Sequence, residues 1–220
     1  MSAYESIKDF IIRGVYKPGQ RLTEEHLASE LSLSRTPIRE AIMRLEAEGL
    51  ITPLKRGMMV RNYTRAEIRQ FYDLRALLEG YAAGQAAIHR SEEDIRRLQE
   101  ANKPFIWLVE NYRQSDFTTN NQIMESNSLY HDAVFSASKN EYIRFLISNV
   151  VVVPLVFRSL NWYTLERLQR SITTHETITA SIIQRDSERA KTAMLEHVYQ
   201  GRDLVLQSLE AVDNVSEPET

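Results

Sequence analysis

The chain has 220 residues, a net charge of −3, 43% hydrophobic and 26% charged residues, and no cysteine. The lack of cysteine excludes disulfides, thiolate metal sites and cysteine nucleophiles. Residues 150–157 form the longest apolar run, which is too short to span a bilayer, and residues 1–5 do not begin a secretory signal, so we expect a cytoplasmic protein without a membrane partner.

The first predicted elements are a helix over residues 4–13, a break over residues 14–20, and a short helix over residues 23–31. Residues 32–33 make a tight connection to the next helix, which covers residues 34–48 and ends at a glycine. Two short helices joined in this way predict a helix-turn-helix. The second helix of that motif enters the DNA major groove with its amino-terminal residues on base edges.

This second helix begins with a cap and a group of cations. Ser34 is suited to cap the first turn, and Pro37 fits there because first-turn amides have no intrahelical partner. An amphipathic helix with a solvated basic face is the plainer interpretation, but it does not explain the cap, the turn and the cations together. We therefore predict that this helix contacts DNA through Ser34, Arg35, Thr36, Arg39 and Arg44.

Residues 51–61 follow as two short strands around a basic, glycine-containing turn. A basic hairpin directly after a recognition helix is typical of a wing. Arg56 and Gly57 at its tip are further predicted DNA contacts, because glycine lets the backbone approach a phosphate without a side-chain clash. Residues 1–62 contain ten basic and eight acidic residues, whereas the remainder contains 17 and 22, as expected for a basic DNA-binding domain on an acidic body.

The rest of the chain is predicted to be helical. The helices cover residues 65–89, 92–112, 117–136, 141–162, 165–185 and 188–212. Helices of this length form an antiparallel bundle around one core. The predicted fold is mainly α, with a winged helix-turn-helix over residues 1–63, an antiparallel bundle of six or seven helices over residues 64–213, and a disordered tail over residues 214–220.

At its amino-terminal end the sequence resembles bacterial transcription regulators of the GntR family, in segments 18–22, 34–41 and 46–50 and in the pair Arg56-Gly57. The helical remainder resembles the FadR-type branch, whose helical FCD domain binds an effector and dimerises. The resemblance implies a sequence-specific, ligand-responsive transcription regulator. It further implies a repressor that binds a palindromic operator in double-stranded DNA as a homodimer and is released by a small carboxylate effector.

Three histidines fall beside apolar faces of separate predicted helices: His131, His175 and His197. A single histidine in such a place is usually a packed core residue. Three on neighbouring helices favour a shared site, because imidazoles in one interior space otherwise leave several polar atoms without partners. They match the three histidine ligands of the metal-binding members of the FadR-type branch, which implies a divalent metal ion, Zn²⁺ or Ni²⁺.

Two positions depart from the family pattern. Glu25 occupies the place of a DNA-contacting arginine in the founding member of the branch, so we expect that phosphate contact to be absent. Asn127 occupies the place of an aspartate ligand, four residues before His131. Its neutral amide oxygen is a weaker donor to a cation than a carboxylate, so Asn127 is expected to be a weak or absent fourth ligand.

The resemblance places Arg75 in the effector pocket, with Tyr130 and Arg158 as further effector contacts. The alternative for Arg75 is an ion pair with Glu79, one helical turn away. Two other functions stay open for the chain. One is a metal-dependent enzyme using the three histidines, because three histidines and an open position also describe catalytic zinc. The other is an architectural DNA-binding protein without an effector.

Overall fold

The computed structural model describes residues 2–113, 116–150 and 163–216. Within these ranges the chain divides into two compact units, one up to Thr64 and the other from Arg65 onward. The division falls one residue after the predicted boundary at residue 63. None of the described helices is long and apolar enough to cross a membrane.

The first unit is a small helical domain with a three-stranded sheet. Its elements are α1 Ala3–Ile12, β1 Arg21–Leu22, α2 Glu24–Glu30, α3 Arg35–Ala47, β2 Ile51–Pro53 and β3 Met58–Val60. β3 is the central strand and pairs antiparallel with β1 and with β2. Apolar residues from all three helices are almost completely buried in the core of this unit, among them Ile7, Ile11, Leu27, Ile38 and Leu45. These elements confirm the predicted winged helix-turn-helix.

The start of α3 corrects one detail of the prediction. Ser34 is the residue before the helix and has the extended backbone of a cap, but its side chain makes no capping hydrogen bond. Thr23 does cap α2, since its side chain accepts a hydrogen bond from the backbone nitrogen of His26 at 3.1 Å. The exposed Ser34 hydroxyl is therefore not used inside the helix.

The second unit is a helical bundle. Its described helices are α4 Arg65–His89, α5 Glu92–Glu110, α6 Phe117–Ala137, α7 Glu141–Val150, α8 Leu165–Ile183 and α9 Ser187–Ser216. α4 packs along α9 and also contacts α6, α7 and α8, while α5 contacts α6 and α8. The mainly helical fold class is confirmed, with a bundle following a winged domain.

Most of the described helix ends lie within two residues of the prediction, and one differs by more. α9 continues to Ser216 rather than ending at residue 212, so the first residues of the expected tail at 214–220 are helical. The expected helix over residues 141–162 is described as far as Val150, and its remainder lies outside the described residues. α5 passes through Pro104 without being split.

Close contact between α4 and α9 depends on two glycines of α4. A Cβ atom on Gly80 would lie 3.0 Å from Cγ of Leu195, and one on Gly84 would lie 3.2 Å from Oγ of Ser187. The missing side chains let the two helices pack closely, which brings the inner face of α4 toward the histidine on α9.

Candidate DNA-binding face and metal centre

The amino-terminal end of α3 presents the predicted DNA contacts. Arg35, Thr36 and Arg39 are exposed, whereas Ile38 is completely buried and anchors the helix. Nε of Arg39 donates a 2.8 Å hydrogen bond to Oε2 of Glu24, the first residue of α2. This bond uses the inner nitrogen of the guanidinium, and the two terminal nitrogens are the ones that read a guanine edge.

Arg44 lies toward the other end of α3. Its guanidinium sits 3.7 Å from the ring centre of Tyr4, and its Nε lies 3.4 Å from a carboxylate oxygen of Glu48. The contact with Tyr4 holds the side chain against α1, and Glu48 is the residue that ends α3. The structure therefore gives Arg44 a role inside the domain, and its contact with DNA stays a prediction.

The wing glycine has a packing reason that the sequence did not reveal. Gly57 has a φ of +81°, and a Cβ atom there would lie 2.4 Å from the carbonyl oxygen of Leu22 on β1. Its own carbonyl accepts a 3.0 Å hydrogen bond from the backbone nitrogen of Leu54, which closes the hairpin. Glycine is required here by the fold whether or not DNA approaches, and Arg56 beside it is exposed.

Arg35 and Gly57 line the same surface groove of about 460 Å³ between α3 and the wing. Glu25 lines this groove as well. An acidic side chain there would repel phosphate, and the absence of a phosphate contact at Glu25 stays a prediction.

The three predicted metal ligands meet inside the bundle. His131 comes from α6, His175 from α8 and His197 from α9. Nε2 of His197 lies 3.1 Å from Nε2 of His131 and 3.3 Å from Nε2 of His175, and one nitrogen from each ring lies within 4.8 Å of the others. The structure thus brings together the three histidines that the sequence placed on separate helices.

In His131 and His175, the nitrogen that faces away from His197 makes a hydrogen bond, and this bond decides which nitrogen of the ring carries the proton. Nδ1 of His131 lies 2.5 Å from Oε2 of Glu79, and Nδ1 of His175 lies 2.8 Å from Oδ1 of Asn102. Carboxylate and amide oxygens accept hydrogen bonds, so both Nδ1 atoms must donate. In a neutral imidazole the other nitrogen then has a bare lone pair.

Two lone pairs therefore face the same nitrogen of His197, which carries at most one proton. Nδ1 of His197 is buried and is the one buried side-chain nitrogen or oxygen of the described residues that has no hydrogen-bond partner. Lone pairs held this close repel one another unless a cation lies between them. The donor set is three imidazole nitrogens, two of them on rings that outer partners orient, and it fits a divalent ion such as Zn²⁺ or Ni²⁺.

Burial keeps the rings of His175 and His197 neutral. It lowers the pKa of His175 well below the usual histidine range, and burial together with the neighbouring His131 lowers the pKa of His197 to about 3. Burial alone would raise the pKa of Glu79, but the Arg75 guanidinium and His131 outweigh it and bring this pKa to about 2. At neutral pH the site thus has at least two neutral imidazoles, the form that binds metals, together with an ionised carboxylate.

The two units of the chain are similar to two different domains of known proteins. Residues 1–59 match the family described as "Bacterial regulatory proteins, gntR family", and residues 70–200 match the FCD domain. The chain belongs to the GntR family. Its FCD domain contains all three clustered histidines.

Relatives of this GntR-family regulator are similar over most of their length. It is 27% identical to the uncharacterized HTH-type transcriptional regulator YdhC of Bacillus subtilis, over 88% of this chain and 85% of that protein. It is also 27% identical to the gluconate operon transcriptional repressor of Bacillus licheniformis, over 88% of this chain and 77% of the repressor. The solved structure of E. coli McbR/YncC has the same fold, with a TM-score of 0.76 at 22% identity over 94% of this chain and 96% of that one.

These matches decide between the three functions that the sequence left open. The chain is a ligand-responsive, DNA-binding transcription regulator with an FCD effector-binding domain. Its domains and relatives are those of transcription regulators rather than enzymes, which decides against the alternative function of a metal-dependent enzyme. The effector-binding domain likewise overturns the architectural protein without an effector.

The predicted effector contacts of the regulator have different outcomes. Arg75 forms the ion pair that the sequence offered as its alternative, with Nε 2.8 Å from Oε1 of Glu79. Tyr130 is completely buried, and its hydroxyl donates to the carbonyl oxygen of His175 at 2.9 Å. Its ring stacks on His175 with the ring centres 4.0 Å apart, so Tyr130 supports a histidine rather than offering its hydroxyl to an effector. Arg158 lies outside the described residues.

Sequence reasoning missed two residues of the centre, Glu79 and Asn102. Both are polar residues at buried positions of amphipathic helices, which is the one signal that pointed to them. Asn102 lies between Leu98 and Phe105 at helical spacing, on the buried face of α5. A polar residue in such a position needs a partner, and in both cases the partner is a histidine of the cluster.

Proposed function

We propose that this GntR-family regulator is a repressor whose FCD domain holds one Zn²⁺ or Ni²⁺ ion, and that a small carboxylate bound at this metal releases it from a palindromic operator. The observation that carries the proposal is the convergence of three imidazole nitrogens, two of them with bare lone pairs. His131, His175 and His197 would hold the ion, which would act as a Lewis-acid anchor for the carboxylate. A ligand of this kind shifts the regulator between states by binding one of them more tightly.

Two observations support a carboxylate effector. The ion would be held by three neutral rings, so an anion would supply negative charge that the histidines lack. The repressor of Bacillus licheniformis to which the chain is similar is named for the gluconate operon, and gluconate is a hydroxycarboxylate.

Release of DNA tests the proposal. A DNA duplex selected by the full-length protein from a random pool is labelled, and binding is followed by fluorescence anisotropy at fixed salt. Gluconate, lactate and citrate are then added to zinc-loaded protein and to chelator-stripped protein. We expect at least one carboxylate to weaken DNA binding by the loaded form and to leave the stripped form unchanged. Release that is equal in both forms would refute a role of the metal.

Asn127 offers a gain-of-affinity prediction. It lies one helical turn before His131 on α6 and is half-buried. Asn127→Asp adds a charged oxygen donor on the face of α6 that carries His131, so we expect Zn²⁺ to bind more tightly in a calorimetric titration. Gln122→Glu places the same charge on the exposed side of α6 and is the matched control. Equal Zn²⁺ affinity in Asn127→Asp and wild type would show that residue 127 does not face the metal.

We propose that a second copy of the chain covers an apolar surface on α4 and α7, which are neighbours in the bundle. Leu74, Leu77 and Tyr81 follow one another at spacings of three and four on the exposed side of α4, and Tyr142 and Leu146 are exposed one turn apart on α7. Exposed apolar patches of this kind mark interaction surfaces. A two-fold dimer buries the same patch on both copies and matches a palindromic operator.

Negative charge introduced on this surface should dissociate the proposed dimer. We expect Leu77→Glu combined with Tyr142→Glu to sediment as a monomer at micromolar concentration, because pairing would bury four carboxylates across the two-fold axis. Trp107→Glu is the control, since Trp107 on α5 is as exposed as Leu77, at 62% against 64%. A dimer that persists in the double variant, with wild-type helicity, would place the interface elsewhere.

A further inference from the structure

Glu79 is a buried carboxylate that joins two parts of the centre. It is 1% exposed, and its two oxygens have different partners. Oε1 accepts from Nε of Arg75 at 2.8 Å, and Oε2 accepts from Nδ1 of His131 at 2.5 Å. A carboxylate at such a depth is costly unless it is paired, so this double pairing is what keeps Glu79 charged inside the bundle.

The contact with His131 fixes the chemistry of that ring. An ionised carboxylate has no proton to donate, so the proton of the neutral ring must be on Nδ1. The lone pair of Nε2 is then directed at His197 and His175, where a cation would lie. Carboxylates behind metal-binding histidines have this effect in general, since they set the ring orientation and raise the basicity of the ligand nitrogen.

The contact with Arg75 has a separate, electrostatic consequence. Arg75 is 13% exposed and pairs with Glu79, whose other oxygen contacts His131, so the charge of Arg75 lies close to the histidines. A buried guanidinium this close would also repel a divalent cation. Glu79 cancels that charge at close range, so the centre keeps an arginine for an anion without losing affinity for a metal.

We infer that Glu79 is a positioning residue of the metal centre, which holds His131 in the tautomer that binds a metal and neutralises Arg75. The inference can be tested by metal affinity, and that test rests on the proposed metal-dependent function. It can also be tested by the tautomer of His131, and that test needs no metal. Asn102 holds His175 in the same tautomer but carries no charge. Of these two outer partners, Glu79 is the one that also pairs with an arginine.

The first measurement reads the tautomer in the metal-free, full-length protein. Long-range ¹H–¹⁵N correlations of the histidine rings distinguish a proton on Nδ1 from one on Nε2. We expect wild-type His131 to carry its proton on Nδ1. The charge-balanced variant Arg75→Met/Glu79→Leu removes the acceptor without leaving a buried arginine unpaired, and we expect a mixture of tautomers there. A wild-type proton on Nε2, or an unchanged Nδ1 proton in the double variant, overturns the positioning role.

The second measurement is Zn²⁺ affinity by competition with a chromophoric chelator. We expect Glu79→Gln to lower the affinity by about 10- to 100-fold, the usual effect of losing an outer partner of a ligand. Asp94→Asn is the matched control, because Asp94 is also a buried carboxylate but bonds Ser91 and Lys139. The control should keep wild-type Zn²⁺ affinity.

The outcomes separate this inference from the proposed function. Wild-type protein that binds no Zn²⁺ refutes the metal-dependent function, and the tautomer measurement then still decides the role of Glu79. Wild-type affinity in Glu79→Gln, with Zn²⁺ bound normally by wild type, overturns the inference and leaves the metal centre standing. If Glu79→Gln fails to fold, the charge-balanced double variant carries the affinity test, with the same 10- to 100-fold loss expected.

Discussion

Metal-stripped protein carrying His175→Ala should lose Zn²⁺ affinity by more than the ~10- to 100-fold that the loss of an outer partner causes. One of three converging nitrogen donors disappears, and the remaining pair leaves the ion with too few protein ligands for a stable tetrahedral site. Calorimetric titration with Zn²⁺ and Ni²⁺ measures the loss. His89→Ala is the matched control, because His89 is exposed at the end of α4 and should bind no differently from wild type.

Thermal unfolding gives an independent measure of the same effect. An ion that binds only the folded state at 100 times its Kd raises the free energy of unfolding by about 2.7 kcal/mol. Zinc should therefore raise the melting temperature of wild type and of His89→Ala, and it should leave His175→Ala unchanged. Zinc that stabilises His175→Ala as much as wild type would show that the three histidines are polar core residues.

Removing either of two arginines from the recognition helix should weaken operator binding by about 1–3 kcal/mol each and relax specificity at one base pair. The variants are Arg35→Ala and Arg39→Ala, whose side chains are exposed at the amino-terminal end of α3. Arg39 is also pre-oriented by its bond to Glu24, which reduces the side-chain entropy lost on binding. Anisotropy titration at fixed salt, with single-base variants of the selected duplex, measures both effects.

The control for charge is Arg96→Ala. Arg96 is exposed on α5 of the bundle and pairs with Glu93, so its removal changes the net charge equally without touching the winged domain. We expect it to bind the duplex as wild type does. If Arg35→Ala and Arg39→Ala both bind with wild-type affinity and specificity, the amino-terminal end of α3 is not the reading surface.

Local signals in the sequence were sufficient for most helices. The bounds of α4 agree with the prediction because its apolar periodicity, its start and its end are all encoded within one segment. The capping box of Ser91 and Asp94 at the start of α5 is another local signal, because its two residues are three positions apart. Local signals failed at Ser34, where a favourable cap residue makes no capping bond.

The metal centre was predictable only in part. The three histidines could be identified because they match a family pattern and lie beside apolar residues. Their outer partners could not, since Glu79 is 52 residues from His131 and Asn102 is 73 residues from His175. Contacts over such separations depend on how helices pack, which periodicity does not specify. Gly57 shows the same limit, because its close neighbour Leu22 belongs to a strand far along the chain.

The same turns of α4 contribute to both the proposed metal centre and the proposed dimer surface. Arg75 and Glu79 point from α4 to the histidines, while Leu74 and Leu77 project from the same turns to the outside. α4 has 25 residues and no proline, so it is a continuous helix about 37 Å long that links the two sites. In the proposed dimer, metal binding that shifts α4 would change how the two copies fit together. Association of the two copies would in turn change the affinity of each for the metal. The effector would then be sensed by the pair of chains, as a change in their mutual fit, rather than by each chain alone.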